Sequence, residues 1–351
     1  MPFPLDQENC KIFSRARHAV WNACRALHLG NNDAVLVPAY HHGSEVESLL
    51  QAGLQVIYYE VNDALEPDPG ALERLLTPNV RALYIIHYLG FPQKATMWKR
   101  WCEEHGLLLI EDAAQAFLAT SEGKPVGSFG DMGVFCLYKT YGLPDGGAIV
   151  SKCPPAQPSG SSSLGLWKTF KRHVNWIAAR QGGIASIHLV VKPLIAKIKR
   201  QYERQHQEFE LGEPSTPSAA INAYLIPRIV DAKTAERRRA NYSFLLDNLK
   251  DIVPFPFSVV PEGACPFAFP IEVRQSKNFL RRLQTRGVIG LLFWLNPHPS
   301  LPVENFPKSK ALREHMLALP VHQELTRADL IQIVNAVKES LHEVKADLKT
   351  A

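Results

Sequence analysis

The sequence predicts an α/β fold: a mostly parallel sheet flanked by helices on both faces, with a smaller α+β unit after it. Three observations predict it. Short apolar runs recur through the first 150 residues, each of a length that suits a buried strand. Segments with apolar residues at helical spacing alternate with them, the pattern of strand–helix–strand crossovers. Two stretches rich in Pro, Ser and Gly, 154–163 and 212–218, then interrupt the alternation before a different pattern begins.

Residues 15–29 read as a helix, with Ala16, Ala19, Val20, Ala23, Ala26 and Leu27 on one face and Gly30 just past its end. A strand over 34–38, a helix over 43–53 and a strand over 55–61 follow. The spacing then predicts a helix over 69–80 with Pro69 in its first turn, a strand over 81–88, a helix over 93–106 stopped by Gly106, and strands over 107–114, 132–138 and 146–151. Between the two breaks, Trp167, Phe170, Val174 and Ile177, and then Val191, Leu194, Ile195 and Ile198, mark two amphipathic helices separated by Gly182-Gly183. Beyond them come a helix over 236–249, a strand over 266–273, a helix over 277–287, a strand over 288–294 and a closing helix over 328–344. The expected division is a large domain over 1–153, a basic helical insertion with linkers over 154–218, and a small C-terminal domain over 219–351.

The bulk properties exclude several classes. The 351 residues are 46% hydrophobic and 21% charged, ordinary for a globular protein with an ample core. Six scattered cysteines make no C-x-x-C pair and no metal-ligand spacing, so they read as buried free thiols. The first residues lack a signal-peptide pattern and no apolar run is long enough to span a bilayer, so a cytoplasmic location is expected. Of the net charge of +5, nine basic residues and one acidic residue between Trp167 and Arg204 carry +8, leaving about −3 for the rest. Such a local excess reads first as an amphipathic pair packed on the protein or a second subunit. It reads next as a peripheral contact of 167–204 with an anionic membrane surface, then as a site for a nucleotide diphosphate. Nucleic acid is not expected, because no recognition motif accompanies the charge.

In an open α/β sheet, ligands bind beyond the carboxyl ends of the strands. Asp112 ends an apolar strand in L-L-L-I-E-D-A-A-Q, where a buried carboxylate needs a partner. Lys139 follows the next strand, in V-F-C-L-Y-K-T-Y-G, and a lysine so placed can act as nucleophile and proton carrier. Arg15, Ala16, Arg17 and His18 open the first helix, where backbone N–H groups form a phosphate site and arginines are disfavoured without an anion. Pro38-Ala39-Tyr40-His41-His42 supplies planar rings beyond another strand end; the two histidines lack the spacing and acidic or Cys partners of a metal site. A carboxylate, a lysine, a phosphate site and a flat ring are what pyridoxal 5′-phosphate (PLP) requires. Each residue also has a plain structural reading: helix cap, surface lysine, solvated arginine, structural histidine.

Four blocks resolve these readings. V-L-V-P-A-Y, E-D-A-A-Q-A, G-K-P-V-G-S-F-G-D-M-G-V-F and G-G-A-I-V, in this order, resemble the DegT/StrS family of PLP-dependent aminotransferases over residues 14–151, and again more weakly at 237–249 and 317–322. The resemblance implies a PLP-transferase fold of type I, a homodimer, and transfer of an amino group from an amino acid such as glutamate to a keto-sugar acceptor, often nucleotide-linked, in surface polysaccharide or secondary metabolite synthesis. It implies that Lys139 carries PLP, Asp112 pairs with its pyridine nitrogen, Gln115 bonds the ring hydroxyl and His42 stacks on the ring. Arg17 falls where the family binds phosphate with Thr, beside backbone N–H groups of Ala16 and His18. Two departures stand out: F-C-L-Y-K replaces the family's F-S-F-x-x-[TS]-K, with Cys136 in place of serine, and the G-Y-N-x-R block is missing, with Asn222 as its substitute. Asn222, Trp294, His298 and His322 are the expected substrate-side groups. A PLP-dependent sugar dehydratase and a non-catalytic binding or regulatory relative remain alternatives on the same scaffold.

Overall fold

The structure, a computed structural model, describes residues 1–166 and 208–350. The two expected basic helices, with Trp167 and Trp176, lie outside the described residues.

A seven-stranded sheet forms the centre, in the order β1-β9-β8-β5-β4-β2-β3. Its strands are β1 (Lys11–Phe13), β2 (Ala34–Pro38), β3 (Gln55–Tyr59), β4 (Val80–Ile86), β5 (Leu108–Ala113), β8 (Met132–Cys136) and β9 (Gly147–Ser151). Neighbours from β3 to β8 are parallel, and only β9 is reversed, pairing antiparallel with both β8 and the edge strand β1. Every residue of β2 and β8 is buried, which is why these strands read as unbroken apolar runs. Each fully buried aliphatic or Phe side chain here contributes about 1.5–3 kcal/mol. A small hairpin, β6 (Thr120–Ser121) with β7 (Lys124–Pro125), precedes β8. The helices α1 (Ala16–Ala26), α2 (Ser44–Gln51), α3 (Pro69–Glu73) and α4 (Ala95–Glu104) connect the strands.

Four expectations are corrected. The helix expected over 69–80 ends at Glu73, because Thr77-Pro78 disfavours helical geometry and the chain closes in tight turns at Leu75 and Leu76. The strand expected over 132–138 ends at Cys136, and the chain winds into one short helix, α5 (Leu137–Thr140), that carries Lys139. The strand expected over 288–294 is only β11 (Leu291–Leu292), since Trp294 takes a left-handed φ of 60° that cannot continue a strand. The closing helix runs Arg327–Thr350, longer than expected.

The C-terminal half builds a three-stranded antiparallel sheet, β10 (Ala268–Glu272), β12 (Met316–Pro320) and β11, with β12 in the middle. The helices Lys233–Leu249, Ser276–Thr285 and Arg327–Thr350 accompany it. The helix Pro307–His315 and β12 were not among the expected elements. One continuous apolar core joins both sheets, with Phe91 between Tyr242 and Phe257.

Register sets the site. β5 pairs with β4 so that Asp112 lies opposite Ile86, and with β8 so that Asp112 lies opposite Val134, two residues short of Cys136. The start of α1 rests directly on β9: a Cβ on Gly147 would come within 2.2 Å of the Arg15 backbone, so only glycine admits the helix this close.

Candidate functional site

A cavity of about 320 Å³ opens at the carboxyl ends of the parallel strands. Arg15, Ala16, Arg17, His42, Asp112, Gln115, Cys136, Lys139 and Trp294 line it, which brings most of the expected residues together.

Asp112 is buried. Its Oδ2 accepts the Tyr84 hydroxyl at 2.8 Å and its Oδ1 the Ala114 N–H at 2.8 Å. Burial and the nearby Glu45 push its carboxyl above the usual carboxylate range, against Lys139 and those two hydrogen bonds, which favour the charged form. The adjacent Glu111 has a different task. Its carboxylate takes the N–H groups of Gly127, Phe129 and Gly130 at 2.8, 2.8 and 2.5 Å and the His87 ring at 3.1 Å. His87 Nδ1 accepts the Gln93 N–H, so its other nitrogen carries the proton offered to Glu111. The E-D pair thus splits into a loop anchor and a cavity group.

Lys139 is half-buried, and among the described residues its ammonium has no hydrogen-bond or ion-pair partner. Burial lowers its pKa, but Cys136, Tyr138, Asp112 and Glu45 together outweigh this and hold it above the ordinary lysine value. The chain alone therefore holds the ammonium charged. Cys136 is fully buried, and burial keeps its thiol protonated.

At the start of α1, Arg15 is the N-cap without a side-chain cap. Among the described residues the N–H groups of Ala16 and Arg17 have no backbone acceptor, whereas the His18 N–H bonds the Arg15 carbonyl at 3.2 Å. His18 is therefore corrected: it offers no free donor, and its ring is held by Ser14 Oγ at 3.0 Å and the Leu211 carbonyl at 2.8 Å. The two open donors are Ala16 and Arg17. Arg15 extends over the Tyr138 ring at 5.6 Å. The Arg17 guanidinium donates to the carbonyls of Glu210 and Glu208.

Gln115 accepts the Leu89 N–H at 2.8 Å through Oε1, which fixes the amide and leaves its NH2 for the cavity. His42 is half-buried at the wall, its Nδ1 at 3.2 Å from Ser44 Oγ. His41 turns the other way, stacked on Tyr58 and bonded to the Pro38 carbonyl, and burial lowers its pKa to about 4.

Three expected substrate groups fall outside the cavity. The Asn222 amide donates to Asp145, holding the turn between Lys139 and β9, so its donors are occupied. His298 is paired with Glu47 at 3.0 Å and Ser300 at 2.7 Å, joining its loop to α2. His322 is a half-buried neighbour of Glu324 at 3.1 Å. Sequence reading missed Tyr84, Glu45 and Tyr138, all cavity-lining. Glu45 is a second buried carboxylate, bound by the N–H groups of His42 and Gly43 at 2.9 and 3.2 Å; the three-residue spacing to His42 is a helix-start signal that could have marked it.

The donor set fits PLP: an unpartnered ammonium, a buried carboxylate, two open N–H groups at the start of an 11-residue helix, and an imidazole at the wall. Among the described residues no group of three His, Cys, Asp or Glu gathers to hold a metal, and no helix is long and apolar enough to cross a membrane.

The sequence profile of the DegT/DnrJ/EryC1/StrS aminotransferase family matches residues 5–157. The chain is 32% identical over 331 residues to the dTDP-3-amino-3,4,6-trideoxy-alpha-D-glucose transaminase of Streptomyces venezuelae, covering 90% of this chain and 79% of that protein. It is 25% identical over 340 residues to the UDP-N-acetyl-3-dehydro-alpha-D-glucosamine 3-aminotransferase of Acidithiobacillus ferrooxidans, covering 92% and 82%. The solved structure of aminotransferase TlmJ from Streptoalloteichus hindustanus superposes with a TM-score of 0.69 at 20% identity, covering 96% and 87%. At that identity the match establishes the fold.

Proposed function

The chain belongs to the DegT/DnrJ/EryC1/StrS aminotransferase family, and on that premise we propose that it moves an amino group from glutamate to the keto carbon of a nucleotide-linked sugar, with PLP held by Lys139 and Asp112. Aminotransferases of this family depend on PLP. One observation carries the reading: the unpartnered ammonium of Lys139 and the buried carboxylate of Asp112 line the same cavity at the strand ends. When bound, PLP supplies a carbonyl carbon that carries the amino group and a ring that takes up electrons.

The remaining work falls to the chain. Asp112 keeps a proton on the ring nitrogen, with Tyr84 securing its charge. Lys139 would hold the group through Nζ and, as the free amine once the donor amine has displaced it, would move a proton from the donor's α-carbon. Ala16 and Arg17 offer N–H groups to the phosphate, and Arg15 adds positive charge. His42 would cover one face of the ring and Gln115 would donate to its hydroxyl. Cys136 stands where the family uses serine and makes a weaker contact. Trp294 and Phe293 wall the acceptor side and exclude water.

The acceptor class rests on the names of the two sugar-acting relatives above, and a surface polysaccharide or secondary metabolite is proposed as the product. Residues 219–351 are proposed as the small domain that closes the cavity. A homodimer is proposed from the neighbouring exposed side chains Leu164, Leu166 and Tyr224, which offer an apolar surface to a second copy.

The test is direct. Purified protein given PLP should turn yellow, and borohydride should fix the cofactor on Lys139 by peptide mapping. Labelling elsewhere, or none, sinks the assignment; Lys139→Ala should lose the label and turnover. Failure of glutamate to yield 2-oxoglutarate would remove the donor.

A further inference from the structure

We propose that Arg17 acts through a strap, residues 208–211, whose Phe209 holds His42 in place at the cavity wall; the inference rests on the reading that PLP occupies this cavity. Arg17 stands where a phosphate ligand is expected, yet its guanidinium is directed elsewhere. Nη1 donates to the Glu210 carbonyl at 2.6 Å and Nη2 to the Glu208 carbonyl at 3.1 Å. Two neighbours on α1 extend the grip: the His18 ring bonds the Leu211 carbonyl at 2.8 Å, and the Asn22 amide donates to the Pro214 carbonyl at 2.8 Å. A charged fork and two neutral donors on one helix face thus fix the course of this segment.

Between those grips Phe209 is buried, 5% exposed. Its ring meets His42 edge-on at 5.9 Å and lies 5.4 Å from His298. Gly43, the residue after His42, has a φ of +115°, and a Cβ there would come within 2.6 Å of the Phe209 ring. Glycine is what lets the strap seat so closely. His42 is otherwise oriented through Nδ1 alone, by Ser44 Oγ at 3.2 Å and the Ser44 N–H at 3.5 Å, and two long contacts on one nitrogen leave the imidazole loosely held. The edge of Phe209 removes that freedom. Arg17 is then a positioning residue, acting on the ring through the strap and His42.

The test compares two ligands that differ only in the phosphate. Binding of PLP and of pyridoxal to the full chain is followed by visible absorbance. A strap anchor predicts that Arg17→Ala weakens both ligands by the same factor, about tenfold. Phe209→Ala should do the same, the double variant should be no weaker than either single one, and Phe209→Ala should add nothing in a His42→Ala background. If Arg17 is instead a phosphate ligand, Arg17→Ala weakens PLP and leaves pyridoxal unchanged. That result, or additive effects of the two substitutions, overturns the proposal. Arg17→Lys and Phe209→Leu carry the same comparison if the alanine variants do not fold. Wild-type protein that takes up neither ligand defeats the cofactor reading itself, an outcome separate from a phosphate-selective loss.

Discussion

Asp112 must be charged to hold a proton on a pyridine nitrogen, and burial opposes that charge. Tyr84 is the side chain that resists, with its hydroxyl at 2.8 Å. Removing the hydroxyl in Tyr84→Phe deletes a donor to the charged form, so the Asp112 carboxyl rises further. The acid limb of the pH–rate profile should then move to higher pH, with turnover near neutrality down about tenfold, as the loss of one hydrogen bond to a charged group implies. An unmoved acid limb would separate Tyr84 from the charge of Asp112. The sign for stability is the same: a carboxyl raised in the folded state supports the fold at low pH and loses that support as pH rises through its folded pKa. Asp112 and Lys139 were legible as cavity-lining residues because one closes a strand and the other follows the next strand, where a charge in an apolar context demands a reason. Tyr84 was not, because within β4 it reads as one more apolar strand residue, and the partner of its hydroxyl lies on another strand. Phe209 was hidden in a polar linker, and its value comes only from what α1 brings beneath it.

At the scale of elements, the family-like blocks mark where loops must be pinned. Glu111, invisible as a functional group, gathers three N–H groups of the G-S-F-G turn and the His87 ring. Asp131, which closes that block, accepts the Leu109 N–H and pairs with Lys99 and Lys152, tying α4 and β9 to β5. Glu111→Ala would leave buried donors unpaired and should destabilise the fold by about 3–5 kcal/mol. Urea unfolding should show a lower midpoint with an unchanged slope, and a variant as stable as the parent would deny Glu111 this role. The central strands were legible because parallel strands buried on both faces must be apolar throughout. α1 was legible from its apolar face, but not which of its first N–H groups stay open, since that depends on the Arg15 carbonyl turning back to His18. Residues 69–80 misled because leucines at helical spacing outlast the helix that the Thr-Pro step ends.

Across the whole molecule, the question is what holds the two sheets in one arrangement around the cavity. Arg313 spans them. It is 2% exposed, and its guanidinium donates to the Trp294 carbonyl at 2.6 Å and the Ala39 carbonyl at 2.8 Å. Ala39 leaves β2 toward His42, and Trp294 leaves β11 on the opposite wall. Tyr40 fills the space between, 5.0 Å from the Trp294 ring, with its hydroxyl on Met316 Sδ of β12. The left-handed backbone of Trp294 costs about 1–2 kcal/mol. A hydrogen bond from a charged donor returns about 1.5–3 kcal/mol, so the clamp is strong enough to hold that strained turn. Lysine keeps the charge but has no planar fork to reach both carbonyls. Arg313→Lys should therefore let Trp294 relax from the acceptor side, raising KM for the keto-sugar about tenfold while borohydride labelling of Lys139 stays intact. Trp294→Phe should raise the same KM, and the double variant should match the single ones, because both act on one wall. Additive losses, or a loss of labelling, would make Arg313 a general support of the fold rather than the brace that sets this wall.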